Sequence, residues 1–164
     1  RTEVSKRAGL RTPVGGWQDM VDAGCVNALN RAVLAEFGCD RATSIARDAG
    51  HRTGRYILEH RIPNLAQSAL VRLPKRLAVR LLLKAIEKNA WTFAGSARVE
   101  VGADWIAIHD NPVCMGRLGY AGCVWHEAVL ATLFSRIAGR GVASRETHCV
   151  GSGNPYCRFE ITLG

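Results

Sequence analysis

The chain has 164 residues and a mass of 17.8 kDa, the size of a single domain of roughly 100–150 residues. With 48% hydrophobic and 22% charged residues it is neither disordered nor fibrous. Its longest apolar run, around Leu81–Leu83, is broken by Arg80 and Lys84, so no stretch approaches the ~18 residues of a membrane span. The net charge is +8, and 18 of the 22 basic residues are Arg, which favours an anionic partner met by bidentate contacts.

The chain opens Arg1-Thr2-Glu3-Val4, without Met or an apolar leader, so a secretory signal is not expected and the six cysteines read as thiols or metal ligands. A cytoplasmic location, peripheral at most to a membrane, follows as an expectation. Residues 1–14 form a basic lead-in, and residues 15–164 a single domain. From Trp17 the apolar spacing turns helical through Met20, Val21, Cys25, Leu29, Val33 and Phe37, and Gly38 is a C-cap signal. Asp40 can cap a second helix running to about Arg61, stopped by Pro63. A short helix over Leu65–Leu73 ends at Pro74, and Lys75–Asn89 is amphipathic. Arg98–Val101 and Asp104–Ile108 read as strands around Gly102, and Tyr120–Ile137 as a helix. Two more strands, about Val142–Val150 and Tyr156–Thr162, flank the turn Gly151-Ser152-Gly153-Asn154-Pro155. Helices first, then an antiparallel sheet of about four strands holding one helix, is an α+β pattern.

Cys123, Glu146, Cys149 and Cys157 stand out near the C-terminus. The hairpin turn folds Cys149 towards Cys157, and a helix packed across it can bring in Cys123. Three thiolates and a carboxylate would make a closed tetrahedral set for zinc, with no position left for water, hence structural. The same residues also fit small buried thiols with Glu146 paired to Arg145. Cys25 reads as core; Cys39 and Cys114 have no partner by spacing.

The segment Gly122-Cys123-Val124-Trp125-His126-Glu127-Ala128, then Arg145-Glu146-Thr147-His148-Cys149, then Cys157-x-Phe159, resembles the 4-vinyl reductase domain family. The spacing matches at four positions, with 22 residues between Cys123 and Glu146, two to Cys149 and seven to Cys157. The resemblance implies a zinc site at these residues beside an aromatic-ligand pocket, as in phenol-sensing activators. It also implies a fold shared with Golgi transport-particle subunits and haem nitric-oxide-binding domains, and pairing of two copies through the N-terminal helices. Asn89–Ser96 and His109-Asp110-Asn111-Pro112-Val113-Cys114 are similar to the bacteriochlorophyll-biosynthesis branch, whose label is 8-vinyl reductase of divinyl protochlorophyllide.

Reduction needs a cofactor to carry the hydride. The sequence has no GxGxxG turn and no cysteine run for an iron–sulfur cluster, so a non-enzymatic role is expected. A tetrapyrrole is a flat apolar disc with carboxylates at one edge, and its pocket should be aromatic with a few placed polar groups. Trp91, Phe93, Trp105, Tyr120 and Trp125 supply aromatic faces, and Gly95 and Ser96 let a ring approach the backbone. Arg52, Arg55, Arg76 and Arg80 can meet propionates. Among the five histidines, His126 follows Cys123 by one helical turn and can orient the metal site. The expected function is a carrier of magnesium porphyrin or protochlorophyllide in bacteriochlorophyll synthesis, with magnesium chelatase or methyltransferase as partner enzymes. Nucleic acid is not an expected partner, since no recognition motif appears. The alternatives are the 8-vinyl reductase with an external reductant and a small-aromatic sensor or interaction module.

Overall fold

The computed structural model describes residues 23–111, 113–114 and 122–164. The basic lead-in and residues 15–22, with the start of the helix expected from Trp17, lie outside these residues. Helix α1 (Ala23–His60) is two helical halves joined across a kink at Gly38, whose φ of 72° is open to glycine and costly for other residues. The break expected at Gly38 is therefore present, but the chain turns without leaving a loop. Helices α2 (Asn64–Val71) and α3 (Lys75–Lys88) each start directly after a proline, Pro63 and Pro74, whose fixed φ suits a helix entrance and whose missing amide hydrogen is not needed there. Gln67 donates its side-chain amide to the carbonyls of Leu58 and Ile62, tying α2 to the end of α1. In α3, Ala78, Val79, Leu82, Leu83 and Ile86 form one buried stripe. A single turn, α4 (Trp91–Ala94), leads to the sheet.

Strands β1 (Val99–Val101), β2 (Trp105–His109), β3 (Val142–His148) and β4 (Tyr156–Leu163) form an antiparallel sheet in the order β1-β2-β4-β3. Helix α5 (Gly122–Ile137) connects β2 to β3. Alternation places Ile106 and Ile108 of β2 and Cys157, Phe159 and Ile161 of β4 in the core. Phe134 of α5 and Phe159 are fully buried at its centre. Ile108 is paired with Cys157, which fixes the height of that sulfur in the sheet. The β3–β4 ladder shifts register between Glu146 and His148, so Thr147 is an extra residue. This bulge resets the side-chain phase ahead of Cys149.

The second half of α1 crosses α5 at very close range. A Cβ at Gly50 would lie 2.7 Å from the Ala128 Cβ, and one at Gly54 2.6 Å from the Thr132 Cβ. Thr132 donates its hydroxyl hydrogen to Ala128 O at 2.8 Å and accepts from His51 Nδ1 at 2.9 Å, which sets the His51 tautomer. Gly54→Val should overpack this crossing by about 2 kcal/mol. A fall in thermal midpoint of roughly 4–8 °C is the expected reading; an unchanged midpoint would show that the helices can separate freely.

Candidate metal centre and apolar cavity

Three of the four residues picked out by spacing meet as expected. Cys123 Sγ lies 3.5 Å from Cys149 Sγ and 3.3 Å from Cys157 Sγ. Each comes from a different element: Cys123 from the first turn of α5, Cys157 from β4, and Cys149 from the residue after β3. The fourth sulfur belongs to Cys114, 3.5 Å from Cys149. All four sulfurs lie within 4.8 Å of one another. Glu146 is beside this set, with Oε1 buried and without a hydrogen-bond partner. Its position is held from behind, where its backbone N–H donates to Glu127 Oε2 at 3.0 Å.

The surroundings favour negative sulfur. The Val150 N–H points at Cys157 Sγ at 3.5 Å, and the Gly151 N–H at Cys114 Sγ at 3.3 Å. The buried Asn111 side chain directs its amide towards Cys123 Sγ at 4.0 Å. A short 3-10 turn, Val150–Ser152, aims the two backbone amides. Without a cation the cluster cannot hold four charges. Cys157 is driven far below the usual thiol range by hydrogen bonds from Cys114 and Cys123, with the Val150 amide adding to them. Cys123 is driven up by its hydrogen bonds to Cys114 and Cys157 and by burial. The Cys123 thiol pulls Cys114 down, but its contact with Cys157 and burial outweigh that and push it up to about 12. Burial raises Cys149, and it also raises Glu146, against the pull of the Cys123 and Cys149 thiols. One sulfur thus takes the charge and the others stay protonated.

This donor set fits a soft divalent cation. Four sulfurs around zinc at about 2.3 Å would stand roughly 3.8 Å apart, a few tenths of an ångström beyond the contacts present. A cation would also satisfy the orphaned carboxylate oxygen in its field.

A cavity of about 400 Å³ opens between the end of α1, helices α2 and α3, and the core side of α5 and β2. Its walls are mostly aliphatic, with Leu82, Ile106, Ile108, Val129 and Leu133 among them. Polar groups are few: Arg61 and Asn89 stand at the exposed rim, and buried His126 faces the interior. Helix α5 serves both features, carrying Cys123 to the metal centre and His126 to the cavity.

Of the expected pocket residues, Trp91 lines the cavity. Trp125 is half-buried, edge-on to the His126 ring at 4.8 Å, and is not part of the wall. Trp105 lies under the Arg158 guanidinium at 4.5 Å, away from the cavity. Gly95 and Ser96 are exposed, and Arg52, Arg55, Arg76 and Arg80 are exposed and outside the wall. Tyr120 and the side chain of Phe93 lie outside the described residues. Spacing gave no hint of Cys114, nine residues before Cys123, or of Arg61 at the rim. Donor softness favours a fourth sulfur over a carboxylate, but by that count Cys25, Cys39 and Cys114 are equal candidates.

Residues 104–163, which span the whole cysteine cluster, match the V4R domain. The bacteriochlorophyll synthase 23 kDa chain of Cereibacter sphaeroides is 44% identical over 94% of this chain and 76% of its own length, and the Rhodobacter capsulatus protein of the same name 34% over 98% and 76%. The chain belongs to that family. In fold it is similar to the phenol-responsive sensory domain of the transcription activator PoxR, with a TM-score of 0.59 at 16% identity, covering 98% of this chain and 86% of that one. It is also similar to a member of the H-NOX family, with a TM-score of 0.54 at 14% identity, covering 97% and 80%. No helix among the described residues is long and apolar enough to cross a membrane.

Proposed function

We propose that the protein is a tetrapyrrole-binding accessory chain of bacteriochlorophyll biosynthesis, holding a magnesium porphyrin or protochlorophyllide in the apolar cavity. The cavity carries the reading: it is aliphatic inside, has an aromatic side chain and a cation at its rim, and contains one buried imidazole. At about 400 Å³ it is at the lower end of small-molecule sites. A macrocycle therefore enters edge first, with its carboxylates left at the mouth near Arg61. The relatives' name supports the pathway, and partner enzymes that handle the same pigment follow from it. Zinc held by Cys114, Cys123, Cys149 and Cys157 locks the hairpin to α5 and plays no chemical part, because four protein sulfurs leave no open position. The earlier set, with Glu146 in place of Cys114, is the competing arrangement.

Titration with magnesium protoporphyrin, read by tryptophan quenching and the Soret band, is expected to saturate at micromolar pigment. Absence of saturable binding would remove the reading. The modest volume and the likeness to a phenol-responsive domain favour one second reading, a small-aromatic site. Saturable binding of phenol without binding of pigment would establish it instead.

A homodimer through the first half of α1 belongs to the same proposal, since Leu29 and Phe37 are exposed there beside half-buried Val33 and Leu34. Light scattering should give twice 17.8 kDa at tens of micromolar protein, and a single-chain mass would refute the pairing.

A further inference from the structure

The face around the cavity mouth combines two features that a purely soluble surface avoids. From Arg61 to Lys88 the chain has seven basic residues and one acidic, Glu87, which is already engaged by Lys84 at 3.3 Å. All seven basic side chains are exposed. Among them stand large apolar side chains left in solvent: Leu65 is 86% exposed, Trp91 57%, Leu81 44% and Leu77 43%.

Trp91 reaches the opening itself, and the three leucines stand on the helices that border it. Leu65 adjoins Ala66, which is exposed and lines the mouth, and Trp91 lines it as well. On α3, Leu77, Leu81 and Ala85 follow one another at four-residue steps, so they form one stripe, and Ala85 lines the mouth too. Arg76, Arg80 and Lys84 each sit next to a member of that stripe in sequence.

We infer that this face docks on an anionic lipid bilayer, with the cavity mouth turned to the lipid. The charge complementarity selects an anionic occupant. The chemistry of a headgroup layer then matches the rest: basic side chains meet phosphates while isolated Leu and Trp side chains enter the acyl boundary. An acidic protein surface would match the cations but would offer nothing to four separate apolar side chains and an open apolar cavity. The inference does not depend on the identity of any cavity ligand, and its test uses none.

The full-length chain is mixed with vesicles of phosphatidylcholine alone or with about one-third phosphatidylglycerol, and the bound fraction is read by flotation. Binding to the anionic vesicles and release by salt are expected. The double reversal R76E/R80E should lower binding at least about tenfold, whereas R41E/R47E, the same charge change on α1, should alter it by less than about twofold. Lipid with brominated acyl chains should quench tryptophan fluorescence, and Trp91→Phe should abolish most of that quenching. Far-UV dichroism and metal content confirm that each variant is folded. The inference is overturned by absence of vesicle binding at low salt, by equal losses in the two charge variants, or by quenching that survives Trp91→Phe. It is equally overturned if R76E/R80E changes the mass in solution and leaves vesicle binding intact, which would assign the face to a second copy of the chain.

Discussion

Cys149→Ser is expected to abolish stoichiometric metal binding and to destabilise the fold together. Cys149 touches both Cys114 and Cys123, so its loss opens the centre from two sides. A metal site that does not exist in the unfolded chain contributes its binding energy to folding, and losing it here should cost at least about 3 kcal/mol. For a chain of this length that is a fall of roughly 6–12 °C in thermal midpoint, matched in the wild type by a strong chelator. Elemental analysis giving well under one zinc per chain in wild-type protein would leave four packed thiols and no metal role. Cobalt separates the two ligand sets. With four thiolates, Cys114→Ser should remove about a quarter of the sulfur-to-metal charge-transfer intensity, and Glu146→Gln should leave it unchanged. Full charge-transfer intensity in Cys114→Ser, with the cobalt ligand-field bands shifted by Glu146→Gln, would instead restore Glu146 as the fourth ligand.

Protons report the same centre. Three sulfurs are held in the protonated form when no cation is present, Cys114 with a pKa of about 12 and Cys123 and Cys149 raised above the usual thiol value. Metal binding at pH 7 should therefore release about three protons, and affinity should fall steeply as pH drops. Calorimetry in buffers of different ionisation enthalpy measures this number. A release near zero would mean that the thiols are already ionised, against the mutual hydrogen bonding of the cluster.

Ala66→Trp is expected to close the cavity without disturbing the fold. Ala66 lies at the exposed rim on α2, so a large ring there has room outward while covering the opening. Pigment binding should weaken more than tenfold, with metal content and thermal midpoint unchanged. Unchanged pigment affinity would place the ligand elsewhere on the protein.

How far the sequence reached follows from what each feature depends on. The helices and strands are set by local periodicity and by punctuation at Gly38, Pro63 and Pro74, so they were legible, with boundaries shifted by a few residues. The thiols Cys123, Cys149 and Cys157 were legible because their elements meet through the hairpin turn. Cys114 was not, since its loop has no periodicity and its approach to Cys149 is set by tertiary packing. The cavity wall was the least legible part. It is assembled from six elements, and exposed arginines on one helix look alike whether or not they face an opening. Trp105 illustrates the difficulty: alternation puts it on the outer face of β2, where it packs under Arg158, while Ile106 and Ile108 face the cavity.

The sheet order has a consequence for synthesis. The last strand in the chain, β4, lies inside the sheet between β2 and β3, and it carries Cys157. On the ribosome, β2 and β3 must therefore wait with open edges until β4 emerges, since neither can pair with the other. Unpaired edges are where nascent chains associate wrongly. The metal centre is incomplete over the same interval, because its last sulfur arrives on that strand. A chain terminated before Tyr156 would lack both the strand that joins the halves of the sheet and the ligand that secures it. Metal retention thus marks a chain whose sheet is complete, and chains terminated before Tyr156 should be recovered metal-free and aggregated.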